Sequence, residues 1–188
     1  MNLNINLKIW KIISVVGIFI LSFLFHQLYD WFPNKLFSIF FPVNESIWEH
    51  LKMIFTTITF WLFVEYNLFY CLFKDISYNN LILSSLVSSL STIIIFLIIY
   101  SPIYNLVGHN LILTLIIYFI AISLGQLISY YILVLNINLN KLNIISVILI
   151  IIIFTLFGYF TYNPLKCPLF YDEYGDKYGI YNYYNKKN

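Results

Sequence analysis

Charged residues are scarce in this 188-residue chain, and arginine is absent. Only 10% of the residues are charged, all ten basic residues are lysines, and the formal net charge is +2. A surface that binds nucleic acid needs a concentrated patch of basic side chains, and this sequence has none. We therefore expect no nucleic acid among the partners of the protein.

Cysteine is also rare, with two residues, Cys71 and Cys167, far apart in the sequence. Without a C-x-x-C pair, thiol redox chemistry and zinc-ribbon sites are excluded. The chain also lacks a P-loop and a G-x-S-x-G nucleophile elbow, so the common chemistries of soluble hydrolases and nucleotide-binding proteins have no counterpart here.

What the chain has in abundance is apolar residues, which make up 61% of the sequence, against roughly 45–50% in soluble domains. They form continuous blocks close to the ~20 residues that a membrane-spanning helix needs. The blocks cover about residues 9–32, 47–73, 81–100, 111–135 and 144–162. The sequence predicts an all-α integral membrane protein with a bundle of about five transmembrane helices over residues 1–163. Residues 164–188 are predicted to form a polar, Tyr-rich and irregular tail.

Small residues recur at helical spacing in the third and fourth blocks. Because small side chains let membrane helices approach closely, we expect these two helices to pack together. The residues are Ser84, Ser88 and Ser91 in the third block, and Ala121, Gly125 and Ser129 in the fourth. A break between the two helices is predicted at residues 101–108, around Pro102.

Two lysines, Lys8 and Lys11, precede the first apolar block. Since positive charge near the first helix favours the cytoplasmic side, a cytoplasmic N-terminus is predicted.

The segment P-V-N-E-S-I-W-E-H-L-K, residues 42–52, concentrates ionisable side chains in an otherwise apolar chain. Asn44 or Ser46 can cap the second helix, and Glu45 and Glu49 lie where the helix dipole stabilises negative charge. A helix cap does not require Glu45, Glu49, His50 and Lys52 together. This segment is therefore a candidate functional site. A further acidic residue, Glu65, lies later in the same apolar block, where an ionisable side chain at membrane depth indicates function or a polar partner.

The three histidines of the chain lie at ends of predicted helices: His26 near the end of the first, His50 at the start of the second and His109 at the start of the fourth. In an alternating topology all three reach the same membrane face. With Asp30, Glu45 and Glu49, they are ligand types for zinc or another divalent metal, and equally parts of a proton relay. No H-x-x-x-H pair fixes two ligands on one helix, so interfacial residues without a ligand remain an alternative.

Several segments together resemble a known family. They are V-N-E-S-I-W-E-H-L-K-M, the preceding F-H-Q-L-Y-D-W, H-N at His109, S-L-G-Q-L, and the tail P-L-F-Y-D-E-Y-G-D-K-Y-G-I. The chain resembles an uncharacterised family of small bacterial membrane proteins, the domain of unknown function numbered 6512, with an N-E-S-x-W-E-H-x-K motif. The resemblance implies a multi-pass protein of a bacterial cell membrane and implies no reaction.

Three functions remain open from the sequence. The first is a metal-dependent membrane hydrolase, with His26, His50 and His109 as metal ligands and Glu45 or Glu49 as the catalytic base. The second is a small transporter that uses Glu65 and Gln126. The third is a non-enzymatic subunit or lipid-binding protein in which Asn44 and Lys52 hold an anionic headgroup. Membrane lipid is the expected partner, and a homo-oligomer or a membrane partner protein remains open.

Overall fold

The structure is a computed structural model that describes residues 3–72, 80–135, 137 and 139–180. Its helices are α1 (Leu3–Trp31), α2 (Lys35–Phe40), α3 (Ile47–Leu72), α4 (Leu81–Val107), α5 (Leu111–Val134) and α6 (Asn140–Tyr162). A 3-10 turn (Pro168–Phe170) leads into a hairpin of β1 (Tyr171–Asp172) and β2 (Lys177–Tyr178). The predicted all-α fold is confirmed.

Four of the described helices are long and apolar enough to cross a membrane, namely α1, α4, α5 and α6. The fifth predicted span corresponds to α3, which carries Glu49, Lys52 and Glu65 and is not among the four. Its 26 residues give a length of about 39 Å at 1.5 Å per residue, more than the ~30 Å hydrocarbon core. Whether α3 spans the membrane therefore stays a prediction.

The end of α4 and the presence of α2 differ from the prediction. Helix α4 continues through Pro102 to Val107 and ends where Gly108 adopts a positive φ of 72°. Membrane helices tolerate an internal proline, and glycine adopts a positive φ without the steric cost of a Cβ. The short helix α2 was not predicted; Asn34 caps it by accepting a hydrogen bond from the Phe37 amide (3.0 Å).

The described chain forms two compact units. Unit 1 comprises residues 1–20 and 58–147, and unit 2 comprises residues 21–57 and 148–188. In unit 1, α4 packs against α5 as predicted. Gly125 is essential to this contact because a Cβ there would overlap the Thr92 side chain and would stand 3.0 Å from the Ser88 carbonyl oxygen.

A charged network lies in the interior of unit 1. The Lys11 ammonium lies 2.6 Å from Glu65 Oε1, and both side chains are only 5% exposed. The Ser14 hydroxyl donates to the same oxygen (3.0 Å), and Lys11 also donates to Gln126 Oε1 (3.3 Å). Lys11 therefore serves as the partner of Glu65, and it is not the exposed flanking charge on which the orientation prediction partly relied.

The tail, predicted to be irregular, forms in unit 2 the 3-10 turn and hairpin described above. Asp172 is buried and accepts hydrogen bonds from the amides of Tyr174 (3.0 Å) and Gly175 (3.2 Å). Such an Asx turn closes the hairpin. Strands of two residues show no alternation of polar and apolar residues, so no pattern in the sequence could predict them.

Candidate metal centre

The start of α3 is held by the side chains of the segment that precedes it. The Ser46 hydroxyl lies 3.4 Å from the Glu49 amide, and the Asn44 side-chain oxygen accepts a hydrogen bond from the Ser46 amide (2.9 Å). The predicted cap is thus present, with Ser46 at the capping position and Asn44 supporting the turn before it. This local structure places Glu45 and His50 on the same side of the helix start.

Three metal-ligand side chains converge in unit 2. The Glu45 carboxylate oxygen Oε2 lies 3.5 Å from His26 Nε2 and 3.5 Å from His50 Nε2. The candidate ligand atoms of the three residues all lie within 4.8 Å of one another, and the imidazole ring centroids are 5.3 Å apart. Among the described residues, this is the group of His, Cys, Asp and Glu side chains that could hold a metal ion.

The distances suit a small divalent cation. With metal–ligand bonds of about 2.0–2.1 Å, two donor atoms of a tetrahedral zinc stand about 3.3 Å apart. The two 3.5 Å separations to Glu45 are close to this value. The side chains are partly open to solvent, with exposed fractions of 24% for His26, 26% for His50 and 43% for Glu45. A cation and a water molecule can therefore reach the group.

The orientation of His50 is set by a backbone contact. Its Nδ1 lies 2.9 Å from the Ser46 carbonyl oxygen, which can only accept a hydrogen bond. Nδ1 therefore carries the proton, and Nε2 presents its lone pair to Glu45 and His26. A histidine that donates its second ring N–H to a carbonyl or carboxylate is the usual arrangement in protein metal sites.

The second histidine has a side-chain partner instead. The Gln27 amide nitrogen lies 3.3 Å from His26 Nδ1. In this arrangement Nδ1 accepts and the proton sits on Nε2, facing Glu45. Rotation of the Gln27 side-chain amide by 180° would place its oxygen beside Nδ1, so that Nδ1 donates and the Nε2 lone pair is available to a metal.

Glu49, the second predicted base, belongs to a different cluster. It is 1% exposed and forms an ion pair with Lys52. It also accepts hydrogen bonds from the Val43 amide (3.2 Å) and the Thr161 hydroxyl (2.9 Å). Lys52 is 0% exposed and donates further to the Ser38 carbonyl (2.8 Å) and to Thr161 (2.9 Å). The three donors of its ammonium are all used inside the protein.

The remaining residues of the segment attach it to the tail. The Asn44 side-chain amide donates to the Gly179 carbonyl (2.9 Å). Trp48 stacks on Phe170 with ring centroids 4.6 Å apart, and it also contacts Phe157 and Phe160. The start of α3 is therefore fixed by the end of α6 and by the hairpin that follows it.

His109, the third predicted ligand, lies in unit 1. It is exposed and stands between α4 and α5, where Asn110 caps α5 by accepting from the Leu113 amide (3.1 Å). Its participation in the metal centre stays a prediction.

Comparison with known proteins supports the resemblance found in the sequence. The model of a family of unknown function, DUF6512, matches residues 1–180. The chain belongs to this family. No curated protein and no solved structure matches the chain.

The structure divides the N-E-S-x-W-E-H-x-K segment of this DUF6512 protein into two sets of residues. Glu45 and His50 belong to the metal-ligand group, with the Ser46 carbonyl orienting His50. Asn44, Trp48, Glu49 and Lys52 instead attach the helix start to the rest of unit 2. The sequence singled out all seven residues but could not separate the sets. Gln27, Ser38 and Thr161 were missed, because ordinary polar residues in apolar helices carry no signal until their partners are known.

Proposed function

We propose that this DUF6512 protein is a membrane metalloprotein that binds one divalent cation, such as zinc, through His26, Glu45 and His50, and uses it to hydrolyse a lipid or amide bond. The observation that carries this proposal is the convergence of the three ligand atoms within 4.8 Å. Two histidines and one carboxylate are a donor set of catalytic zinc sites, which leaves the fourth position to water.

The roles of the acidic residues follow from their partners. Glu45 faces both imidazoles and acts as a ligand, and Glu49 is occupied by Lys52 and Thr161. As the base we propose Asp30, an exposed residue four positions after His26. Side chains four residues apart lie on the same helix face, so with a metal bound, Asp30 would be the carboxylate placed to take a proton from a metal-bound water.

The remaining sequence alternatives have less support. In the transporter alternative, Glu65 must exchange protons or ions, but its carboxylate is held by Lys11 and Ser14. In the headgroup alternative, Lys52 must reach an anionic ligand, but it is buried with three protein partners. We assign Lys11 and Lys52 a structural role.

We further propose that the protein crosses a bacterial cell membrane several times and has a cytoplasmic N-terminus.

The proposal is tested by the metal content of protein purified in detergent without chelator. We expect about one zinc per chain in the wild type and less than about a tenth of that in His50→Ala and in Glu45→Gln, since loss of one of three ligands weakens binding strongly. Metal content is measured by inductively coupled plasma mass spectrometry, with size-exclusion elution to confirm that each variant is folded.

The matched variant for this experiment is His109→Ala. Zinc retained in His109→Ala means that the centre consists of two histidines and Glu45, whereas its loss adds His109 as a ligand. A wild-type protein that binds no divalent metal, even after incubation with zinc and removal of the excess, would overturn the proposal.

Asp30→Asn tests the base separately from metal binding. We expect zinc to stay at the wild-type level, while kcat for hydrolysis of phospholipid or fatty-acyl amide substrates in mixed micelles falls about 10²-fold, as is typical of a lost general base. Equal rates for Asp30→Asn and wild type would remove Asp30 from the mechanism.

A further inference from the structure

An open groove of about 600 Å³ runs along α6 in unit 2. This volume is within the ~300–1,000 Å³ range of ligand pockets. Ile39 and Phe40 at the end of α2 form one wall, and residues of α6 form the other. Gly158 lies between the walls, where a Cβ would stand 3.3 Å from the Ile39 side chain. Glycine at this position therefore lets the Ile39 side chain pack closely against α6.

The groove changes in polarity along its length. Its lining at one end is apolar and includes Ile151 and Phe154, whereas the other end carries Tyr159, Tyr162 and Asn163. Residues 151 and 163 are twelve positions apart, about 18 Å along a helix. The hydrocarbon of one bilayer leaflet is about 15 Å thick, half of the ~30 Å core. The groove thus has the length and the polarity of one lipid molecule.

The polar end of the groove is connected to the start of α3 by hydrogen bonds. Thr161, adjacent to Tyr162, donates to Glu49 in the first turn of α3, and His50 is the next residue of that turn. The Tyr162 hydroxyl lies 2.8 Å from the Ser38 hydroxyl, and the Ser38 carbonyl accepts from Lys52. Phe40, which lines the groove, precedes Glu45 by five residues, so their Cα atoms are at most about 18 Å apart.

We propose that the groove binds the acyl chain of a membrane lipid, with the headgroup at Tyr159, Tyr162 and Asn163, and that this lipid is the substrate class of the metal centre. Helix α6 is a candidate membrane span whose outer surface is largely exposed in this chain, so in a bilayer the groove opens onto lipid. The part of the proposal that concerns the substrate rests on the proposed function, but lipid binding does not.

The test fills the groove without disturbing the protein interior. Thr155 lines the groove and is exposed, whereas the adjacent Leu156 is also exposed and lies outside the lining. Wild type, Thr155→Trp and the matched control Leu156→Trp are reconstituted in phosphatidylglycerol vesicles that contain a phosphatidylglycerol with a diazirine in its acyl chain. After illumination, the labelled peptides are mapped and quantified by mass spectrometry.

We expect labelling of wild type to concentrate at residues 39–40 and 151–158, to fall at least about fivefold in Thr155→Trp, and to be unchanged in Leu156→Trp. Labelling spread evenly over the exposed faces of α6, or unaffected by Thr155→Trp, would mean ordinary annular lipid and would overturn the inference.

Zinc measured in the same samples separates the two proposals. Groove labelling without bound zinc would support the lipid site and overturn the proposed metal function. Bound zinc without groove labelling would support the metal site and overturn the lipid site. If zinc is bound, hydrolysis of phosphatidylglycerol that is equal in Thr155→Trp and wild type would overturn the substrate assignment.

Discussion

Replacing Lys52 with methionine lowers the free energy of unfolding by about 3–5 kcal/mol, because it leaves the Glu49 carboxylate as a buried charge without its cation. Both side chains are almost completely buried. The Ser38 carbonyl and the Thr161 hydroxyl lose a donor at the same time. The free energy is obtained by titrating the detergent-solubilised protein with SDS and following tryptophan fluorescence.

The matched control is Lys35→Met, which removes an exposed lysine at the start of α2. Exposed charges contribute about 0–1 kcal/mol, so this variant should unfold like wild type. If Lys52→Met were equally stable, Lys52 would have no structural role, and the headgroup alternative for this lysine would regain support.

Replacing Lys11 with methionine has a similar cost in unit 1, again about 3–5 kcal/mol, because Glu65 then keeps only the Ser14 hydroxyl among its described donors. The double variant Lys11→Met/Glu65→Gln removes both charges and keeps an acceptor for Ser14. Since replacing a buried ion pair by neutral side chains is often close to neutral, the second change should recover most of the lost stability. The same SDS titration is applied to wild type and to both variants.

A different outcome would revise the role of Glu65. If Lys11→Met alone were as stable as wild type, Lys11 would have no structural role, and the transporter alternative for Glu65 would regain support.

The candidate metal centre could be predicted only in part, for a geometric reason. His26 and the segment that contains Glu45 and His50 belong to different helices, and no short spacing links them. Their residue types suggested metal ligands, but the 3.5 Å distances arise from the way the end of α1 meets the start of α3. For Glu45 and Glu49, which are four residues apart, the sequence cannot show that one faces the histidines and the other faces Lys52.

The two buried lysines show the same limit. Lys11 and Lys52 occur near ends of apolar blocks, where lysines usually reach the membrane surface. Each is instead paired with a carboxylate in the interior of its unit. Because a pair of opposite charges forms wherever packing brings two side chains together, only the tertiary structure could identify the partners.

The sequence by itself determined the helical membrane architecture, the family and the segment that carries the candidate site. Uninterrupted apolar runs leave a backbone in lipid no alternative to helices, and a cap of Asn44 and Ser46 depends only on neighbouring residues. The tertiary structure decided which side chains of that segment form a metal-ligand group, which ones hold the interior, and where the groove beside α6 lies. Those features depend on contacts between residues distant in sequence, such as His26 with Glu45 and Glu49 with Thr161. Hydrophobic periodicity does not encode such contacts.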